Sequence, residues 1–401
     1  MLIARGLPLL ASSIEVLLTL LTFSGMVYMV FALWGARAFV RRWSGRGGVE
    51  TAAAAGVTLL KPVKGVDVRM YAGFRSHCLQ EYAGSFEILF GVSSLDDPAV
   101  VEVERLRAEF PGVEIRLVEC PERLGASGKV SNLVQMLREA RYEHVVINDS
   151  DILVSPRYLE RVMRGFSGEK VGMVTAPYIG KTAEGGRALT VWARLEALGI
   201  STDFMAGVLT ARWLEGGIRF GLGSTLAMTK TALAKAGGLE ALVDSLADDY
   251  EMGYRISQAG YRVELCPEVV ETSVPAYGFQ GFWEHQVRWA RTTRDSRKLG
   301  YVGLGVTYCV PWALLTVVAS GFSLWSFSLL SVALLARVAV ALMVGVGVLR
   351  DGQVLRDLWL LAPRDVVALG IWIWSFAGNT VAWRGQHFSL KDGKMSRLTA
   401  V

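Results

Sequence analysis

The chain has 401 residues, is 52% hydrophobic and only 20% charged, and its mean hydropathy is +0.35, so part of its length is expected in lipid rather than in a soluble fold. Its four cysteines (Cys78, Cys120, Cys266, Cys309) are scattered without paired metal-ligand spacing, which argues against a disulfide framework and a zinc site and suits a reducing compartment. The net charge of +5 and pI near 9.0 would fit a nucleic-acid partner, but the basic residues gather beside the apolar runs, where anionic lipid head groups are the simpler partner.

Taken in chain order, residues 16–35 are uncharged and long enough to span a bilayer as a helix. A cleaved signal peptide carries its positive charge ahead of the apolar run, whereas here Arg37, Arg41, Arg42 and Arg46 follow it and only Arg5 precedes it. A retained anchor is therefore expected, with the N-terminus outside and the next region in the cytoplasm. Residues 51–55, ahead of Gly56, read as a linker. From about residue 56 to 298 short apolar runs alternate with helical patterns. The predicted strands are 57–60, 86–92, 113–118, 144–148 and 171–176, with helices over 98–110 and 129–140 among them. This alternation predicts an α/β fold with a mostly parallel sheet covered by helices, whose ligands bind at the carboxyl ends of the strands.

Residues 279–297 mix aromatic and basic side chains at helical spacing and predict an amphipathic helix on the membrane surface. The basic run Arg291, Arg294, Arg297 and Lys298 precedes residues 301–349, which hold one charge, Arg337, and have room for two spans; residues 366–383 are at the lower limit for another. Arg337 would meet a lipid phosphate or a partner inside the bundle. Three spans after the central region would leave Arg384, Lys391, Lys394 and Arg397 outside, against the positive-inside tendency, which makes the last segment a candidate for a re-entrant or interfacial course.

Four polar motifs sit where such a fold keeps its chemistry. Ser94-Leu95-Asp96-Asp97-Pro98 follows the strand at 86–92; one aspartate can accept hydrogen bonds from a base or ribose, and one can cap the helix opened by Pro98. Asn148-Asp149-Ser150-Asp151 follows the strand at 144–148. Two carboxylates one residue apart can reach one hard divalent cation that bridges a diphosphate, the alternative being a turn with a helix cap. Leu246-Ala247-Asp248-Asp249-Tyr250-Glu251 opens a helix that ends near Gly260 and offers either a cap or a general base for an attacking hydroxyl. His285-Gln286-Val287-Arg288-Trp289 lies on the amphipathic helix, where Arg288 can bind a phosphate oxygen and Trp289 offers a flat face to a sugar, or the pair anchors the helix at the interface. Other signatures fail. Gly125-Ala126-Ser127-Gly128-Lys129 lacks the opening glycine of a phosphate loop, Arg123 standing in its place, and Gly221-Leu222-Gly223-Ser224 lacks the flanks of a nucleophile elbow, so that Gly223-Ser224 more simply brings backbone close to a sugar or acceptor. The four histidines are too far apart for a metal cluster.

In this order, with Lys129 and Asn132 ahead of Asp149-Ser150-Asp151 and Gly237-Gly238-Leu239 ahead of Asp248-Asp249-Tyr250, the motifs resemble the ceramide glucosyltransferase family and its bacterial relatives that glycosylate hopanoids. The similarity runs from Leu59-Leu60-Lys61-Pro62-Val63-Lys64-Gly65-Val66-Asp67 to Arg288-Trp289. It implies a GT-A-type nucleotide-sugar-binding domain at 51–278, a membrane anchor with a basic flank at 1–50, an interfacial helix at 279–298 and a membrane region at 299–401. By the same resemblance Asp97, Lys129, Asp149 and His285 would bind substrate, Asp149 and Asp151 would hold Mg²⁺ or Mn²⁺, and Asp249, with Arg288 and Trp289, would be catalytic. The implied reaction is inverting transfer of glucose or N-acetylglucosamine from a UDP-sugar to the hydroxyl of a ceramide-like or hopanoid lipid by a multi-pass protein whose catalytic domain faces the cytoplasm, in a bacterial inner membrane. A processive polysaccharide synthase would need a wider membrane channel, and a non-catalytic scaffold would not need four carboxylate sites. The family usually has Gln or Arg where this chain has His285, a departure that brings possible pH sensitivity near neutrality.

Overall fold

A computed structural model describes residues 2–44, 54–182, 190–383 and 386–398; Arg46, residues 51–53 of the linker and Arg384 lie outside the described residues, as does the side chain of Arg5. The first helix, Leu2–Ser44, contains the apolar run 16–35, and its basic flank meets the next domain through an Arg42–Glu264 ion pair.

The strands expected from periodicity form with shifts of at most two residues at their ends: β1 Val57–Pro62, β2 Phe86–Val92, β3 Glu114–Glu119, β4 His144–Ile147 and β5 Val171–Thr175. Short strands follow at β6 Tyr178–Thr182, β7 Leu226–Thr229, β8 Arg262–Leu265 and β9 Val270–Val274. The main sheet has the order β3-β2-β1-β4-β7-β5-β8, with every neighbouring pair parallel except the two made by β7. Of the early strands β1, β2, β4 and β5 are almost wholly buried, as a sheet covered on both faces requires, while β3 at the sheet edge is partly exposed. Successive strands leave β1 in opposite directions, towards β2 and β3 on one side and β4 on the other. That makes the carboxyl ends of β1 and β4 the topological switch point, where a crevice opens. β6 and β9 form a separate parallel pair beside it.

Helices Ala99–Glu109 and Gly128–Glu139 match the sequence expectation to within a residue or two. In the second, Ser127 accepts from Val130 N at 3.3 Å, so the stretch 125–129 ends in an ordinary N-cap. The Asp248–Gln258 helix carries Asp248, Asp249 and Glu251 in its first turn, complementing the helix dipole, and closes at Gly260, whose φ of +86° suits glycine. It packs directly on backbone: a Cβ added at Gly253 would lie 2.3 Å from Gly221 N.

Among the described residues three helices are long and apolar enough to cross a membrane, Ser13–Ser44, Leu324–Val348 and Gln353–Ser375. A bent pair, Lys298–Thr307 with Cys309–Ala319, meets at 51° and would make a fourth. The last apolar segment is thus displaced from the expected 366–383: the helix begins earlier and ends at Ser375. The chain then turns into strands β10 Thr380–Trp383, β11 Gln386–Lys391 and β12 Lys394–Arg397, which the sequence analysis did not foresee. This small sheet rests on the loop ahead of the Asp248–Gln258 helix, where Met395 N donates to Asp244 O at 2.8 Å and Val381, Phe388, Leu390 and Met395 pack against Ala126 and Leu246. The expected amphipathic helix forms as Phe279–Ser296. Arg337 pairs inside the bundle, with Asp365 at 2.9 Å and Asp203 at 2.6 Å.

Candidate active site

At the end of β4 the Asn148–Asp151 turn is held from four directions. Lys61, fully buried at the end of β1, donates its Nζ to Asp149 O at 3.2 Å; burial pulls this ammonium down to about 7, against the attraction of Asp151 and Asp149. The Asn148 amide donates to Ser224 O at 2.7 Å and to Tyr158 Oη at 2.9 Å. Ser150 Oγ donates to Asp67 at 2.6 Å. Asp151 Oδ2 accepts from Thr272 Oγ1 at 2.7 Å and Ser273 N at 2.8 Å, both on β9. Burial holds the Asp151 carboxyl above its ordinary value, in spite of the Thr272 hydrogen bond.

Asp149 points the other way, 44% exposed, and pairs with Lys129 Nζ at 2.8 Å. The same ammonium reaches Asp248 at 3.3 Å. Burial alone would lower Lys129, but Asp149 and Asp248 outweigh it and raise its pKa, so the cation is retained. Of the pair that the sequence offers as a cap or a general base, Asp248 follows the N-cap residue Ala247, which makes no side-chain cap, and pairs with Lys129. Asp249 is half-buried. Its Oδ1 accepts from Tyr250 N at 2.8 Å, and a Cβ on Gly223 would lie 3.1 Å from its Oδ2, so the bare backbone at Gly223 faces the carboxylate. Burial, and after it the charge of Asp248, push Asp249 up to about 6.

Asp97 stands apart from this group. Its Oδ1 accepts from Ala99 N at 2.9 Å and Gly65 N at 2.8 Å, so Asp97 opens the following helix and also pins the β1 loop at Gly65, whose φ is +66°. Ser93 Oγ donates to Asn132 Oδ1 at 3.1 Å, tying this loop to the helix of Lys129.

His285, Arg288 and Trp289 lie on the Phe279–Ser296 helix, with the His285 and Trp289 rings 4.7 Å apart. Their anchor is a residue sequence reasoning missed. Glu196, 3% exposed, accepts at one oxygen from Tyr277 Oη, from Gln286 Nε2 at 3.1 Å and from His285 Nδ1 at 3.0 Å. Burial alone would raise Glu196, but the His285, Tyr277 and Gln286 hydrogen bonds hold it below the usual carboxylate range. Tyr178 joins the two halves of the site. Like Tyr277 and Trp289 it packs against the cluster of Ala193, Ala197, Ile200 and Val274, and burial, then the charges of Asp249, Glu196 and Asp149, raise its pKa.

The residues fit a hard divalent cation of a particular kind. Among the described residues no three His, Cys, Asp or Glu side chains converge on one point, so an all-protein cage is absent there. A cation held by one or two carboxylates that completes its shell with water and substrate phosphates needs no such cage, and the open Asp149 side chain offers that arrangement.

The fold and this crevice define a glycosyltransferase of GT-A type. The mannosyltransferase PcManGT from Pyrobaculum calidifontis, solved in complex with GDP-Man and Mn²⁺, shares the fold at a TM-score of 0.53 and 19% identity, over 92% of this chain and 98% of that one. The chain belongs to glycosyl transferase family 21, whose profile matches residues 17–396. Ceramide glucosyltransferase 3 of Caenorhabditis elegans is 26% identical over 250 residues, 60% of this chain and 51% of that protein. Ceramide glucosyltransferase 1 of the same organism is 29% identical over 238 residues, 59% of this chain and 49% of that protein. The chain thus spans about half the length of these relatives.

Proposed function

We propose that this protein transfers a hexose, glucose or N-acetylglucosamine, from a UDP-sugar to the hydroxyl of a membrane lipid of ceramide-like or hopanoid type, inverting the anomeric centre. The observation that carries the reading is the meeting of Lys129, Asp149, Asp248 and Asp249 at the switch-point crevice of a domain built against apolar helices. Asp249, poised at about 6, is ionised at neutral pH and takes the proton of the attacking hydroxyl. Lys129 keeps Asp149 and Asp248 in place and offsets their charge. Asp97, through the oxygen not bound to Gly65 and Ala99, receives the nucleoside. Arg288 binds a diphosphate oxygen and Trp289 presents its face to the sugar, both on the helix turn fixed by Glu196. Asp149, with Asp151 behind it, would hold Mg²⁺ or Mn²⁺, which when bound offsets charge developing on the leaving diphosphate. One base and one displacement give inversion. In this reading residues 51–278 form the catalytic domain on the cytoplasmic face of a bacterial inner membrane, residues 279–298 lie at the interface, and residues 299–401 hold the membrane region.

Purified protein in lipid vesicles, supplied with UDP-sugars and candidate lipids, is expected to yield a glycolipid by mass spectrometry. Chelation should stop the reaction and Mg²⁺ or Mn²⁺ restore it. Absence of glycolipid with every donor and lipid would overturn the assignment, and turnover untouched by a chelator would remove the metal from it.

His285 gives a second test. A glutamine amide can replace the imidazole hydrogen bond to Glu196, whereas alanine cannot. His285→Gln should keep most of the activity, and His285→Ala should lose about tenfold to a hundredfold, the range for a hydrogen bond to a charged group. Equal losses in the two variants would give the imidazole a proton-transfer role of its own.

A further inference from the structure

The helix Val191–Gly199 runs through a π-helical turn, Ile200–Phe204, into the helix Met205–Leu214. Such turns widen a helix and are frequent at functional sites. This one presents Asp203, whose side chain is 32% exposed although Arg337 at 2.6 Å and Arg364 at 3.7 Å both approach it. Arg364 is only 9% exposed, and its Nε and Nη1 are buried without a hydrogen-bond partner. Its Nη2 makes two long contacts, to Gln286 Oε1 at 3.5 Å and to Asp203 Oδ2 at 3.7 Å. Gly199 makes the room for this guanidinium, since a Cβ there would lie 2.3 Å from Nε. A buried guanidinium with unmet donors is costly unless something else supplies lone pairs.

The pair joins the π-helical turn, which carries Asp203, to the Gln353–Ser375 helix, which carries Arg364. Gln286, beside His285, touches Arg364 on one side and Glu196 on the other. Phe204, next to Asp203 and itself exposed, packs its ring 5.5 Å from Tyr178, which lines the same apolar cluster as Tyr277 and Trp289. An aromatic path therefore leads from the Trp289 cluster to Asp203.

We propose that Asp203 and Arg364 form the seat for the polar shoulder of the lipid acceptor, beside the hydroxyl that Asp249 deprotonates. The chemistry names the ligand class. Arg364 needs an oxygen lone pair, and Asp203 Oδ2, which Arg364 only approaches at 3.7 Å while Arg337 donates to Oδ1, can accept an O–H or N–H. A neutral lipid with a hydroxyl or amide next to the reacting hydroxyl supplies both. A phosphate would meet the Asp203 charge, and a diacylglycerol, with ester carbonyls only, would satisfy Arg364 alone.

This inference rests on the proposed lipid transfer, and the experiment separates the two. Initial rates are measured in vesicles with an N-acyl amino-diol lipid or a diacylglycerol of equal chain length, for the wild-type protein, Asp203→Asn and Arg364→Gln. Each variant is expected to raise KM for the amino-diol lipid about tenfold or more, the loss of one hydrogen bond to a charged group. KM for the nucleotide-sugar and the rate of donor hydrolysis should stay unchanged, and the preference over diacylglycerol should shrink. If Asp203→Asn fails to fold because Arg337 keeps only Asp365 of its two carboxylates, Arg364→Gln alone gives the readout. Unchanged acceptor KM, or donor KM moving in step with it, overturns the seat. A wild-type protein that transfers sugar to no lipid overturns the functional reading instead.

Discussion

Asp249→Asn is expected to abolish sugar transfer, by about 10²–10⁴-fold, while leaving donor affinity near the wild-type value, because a general base acts on the acceptor. The fold should not suffer. Asparagine keeps an oxygen for the Tyr250 N–H, the hydrogen bond made at 2.8 Å by the carboxylate. Since burial and Asp248 raise Asp249 to about 6, the folded protein holds this proton more tightly than the unfolded chain. Its contribution to stability is full below the ordinary carboxylate pKa and is lost as pH rises through about 6. An amide cannot ionise, so Asp249→Asn should melt no lower than wild type at pH 7. The wild-type rate should rise with pH and level off above about 6. Asp248→Asn, which loses its pairing with Lys129 but leaves Asp149 to hold that cation, should keep reduced, measurable activity. Transfer rate, donor affinity and melting temperature together decide the matter: a dead Asp248→Asn beside an active Asp249→Asn would move the base by one residue.

Lys129→Met should be nearly as damaging, for a different reason. It leaves Asp149, Asp248 and Asp249 facing one another without the cation that now sits 2.8 Å from the first and 3.3 Å from the second. Truncating one partner of a largely buried, hydrogen-bonded charge pair costs about 2 kcal/mol or more, so kcat/KM should fall at least about 30-fold. A signature separates this from simple unfolding. The Lys129 charge lowers Asp249, so its removal should move the acid limb of the pH–rate profile to higher pH. A profile that keeps its midpoint while the rate falls would show that Lys129 acts on the donor alone.

The fold was largely legible because four of its first five strands are buried, mainly apolar runs, separated by helices. The polar residues after those strands were legible for the same reason: strand ends at the switch point are where such a sheet binds ligands. What sequence could not show is which way each carboxylate turns. Asp149 and Asp151 look equivalent one residue apart, yet β9 captures Asp151 through Thr272 and Ser273, more than a hundred positions along the chain. Glu196 sits in a helix of unremarkable composition, and its partner His285 is 89 residues away. Asp203 and Arg364 are likewise brought together only by packing. The strands β10 to β12 escaped notice because they are short and basic, and a charged tail after an apolar helix reads as a solvated end.

The contact between β12 and the loop ahead of Asp248 bears on how often the chain passes through the bilayer. Asp351 and Gln353 already touch the catalytic domain, the first through Ser201 at 2.7 Å and the second through Gly180 O at 2.9 Å. At the other end of the Gln353–Ser375 helix, Gly378 O accepts from Arg294 at 3.1 Å, and the chain then runs into the sheet on Asp244. Both ends of this helix are moored to the same side. A segment that starts and finishes on one face traverses the bilayer an even number of times, and a single helix can only do so by not traversing it at all. On that count the bent pair and Leu324–Val348 would make one excursion out and back, the passes would number three with the N-terminal helix, and Lys391, Lys394 and Arg397 would share the face of the loop at Asp244.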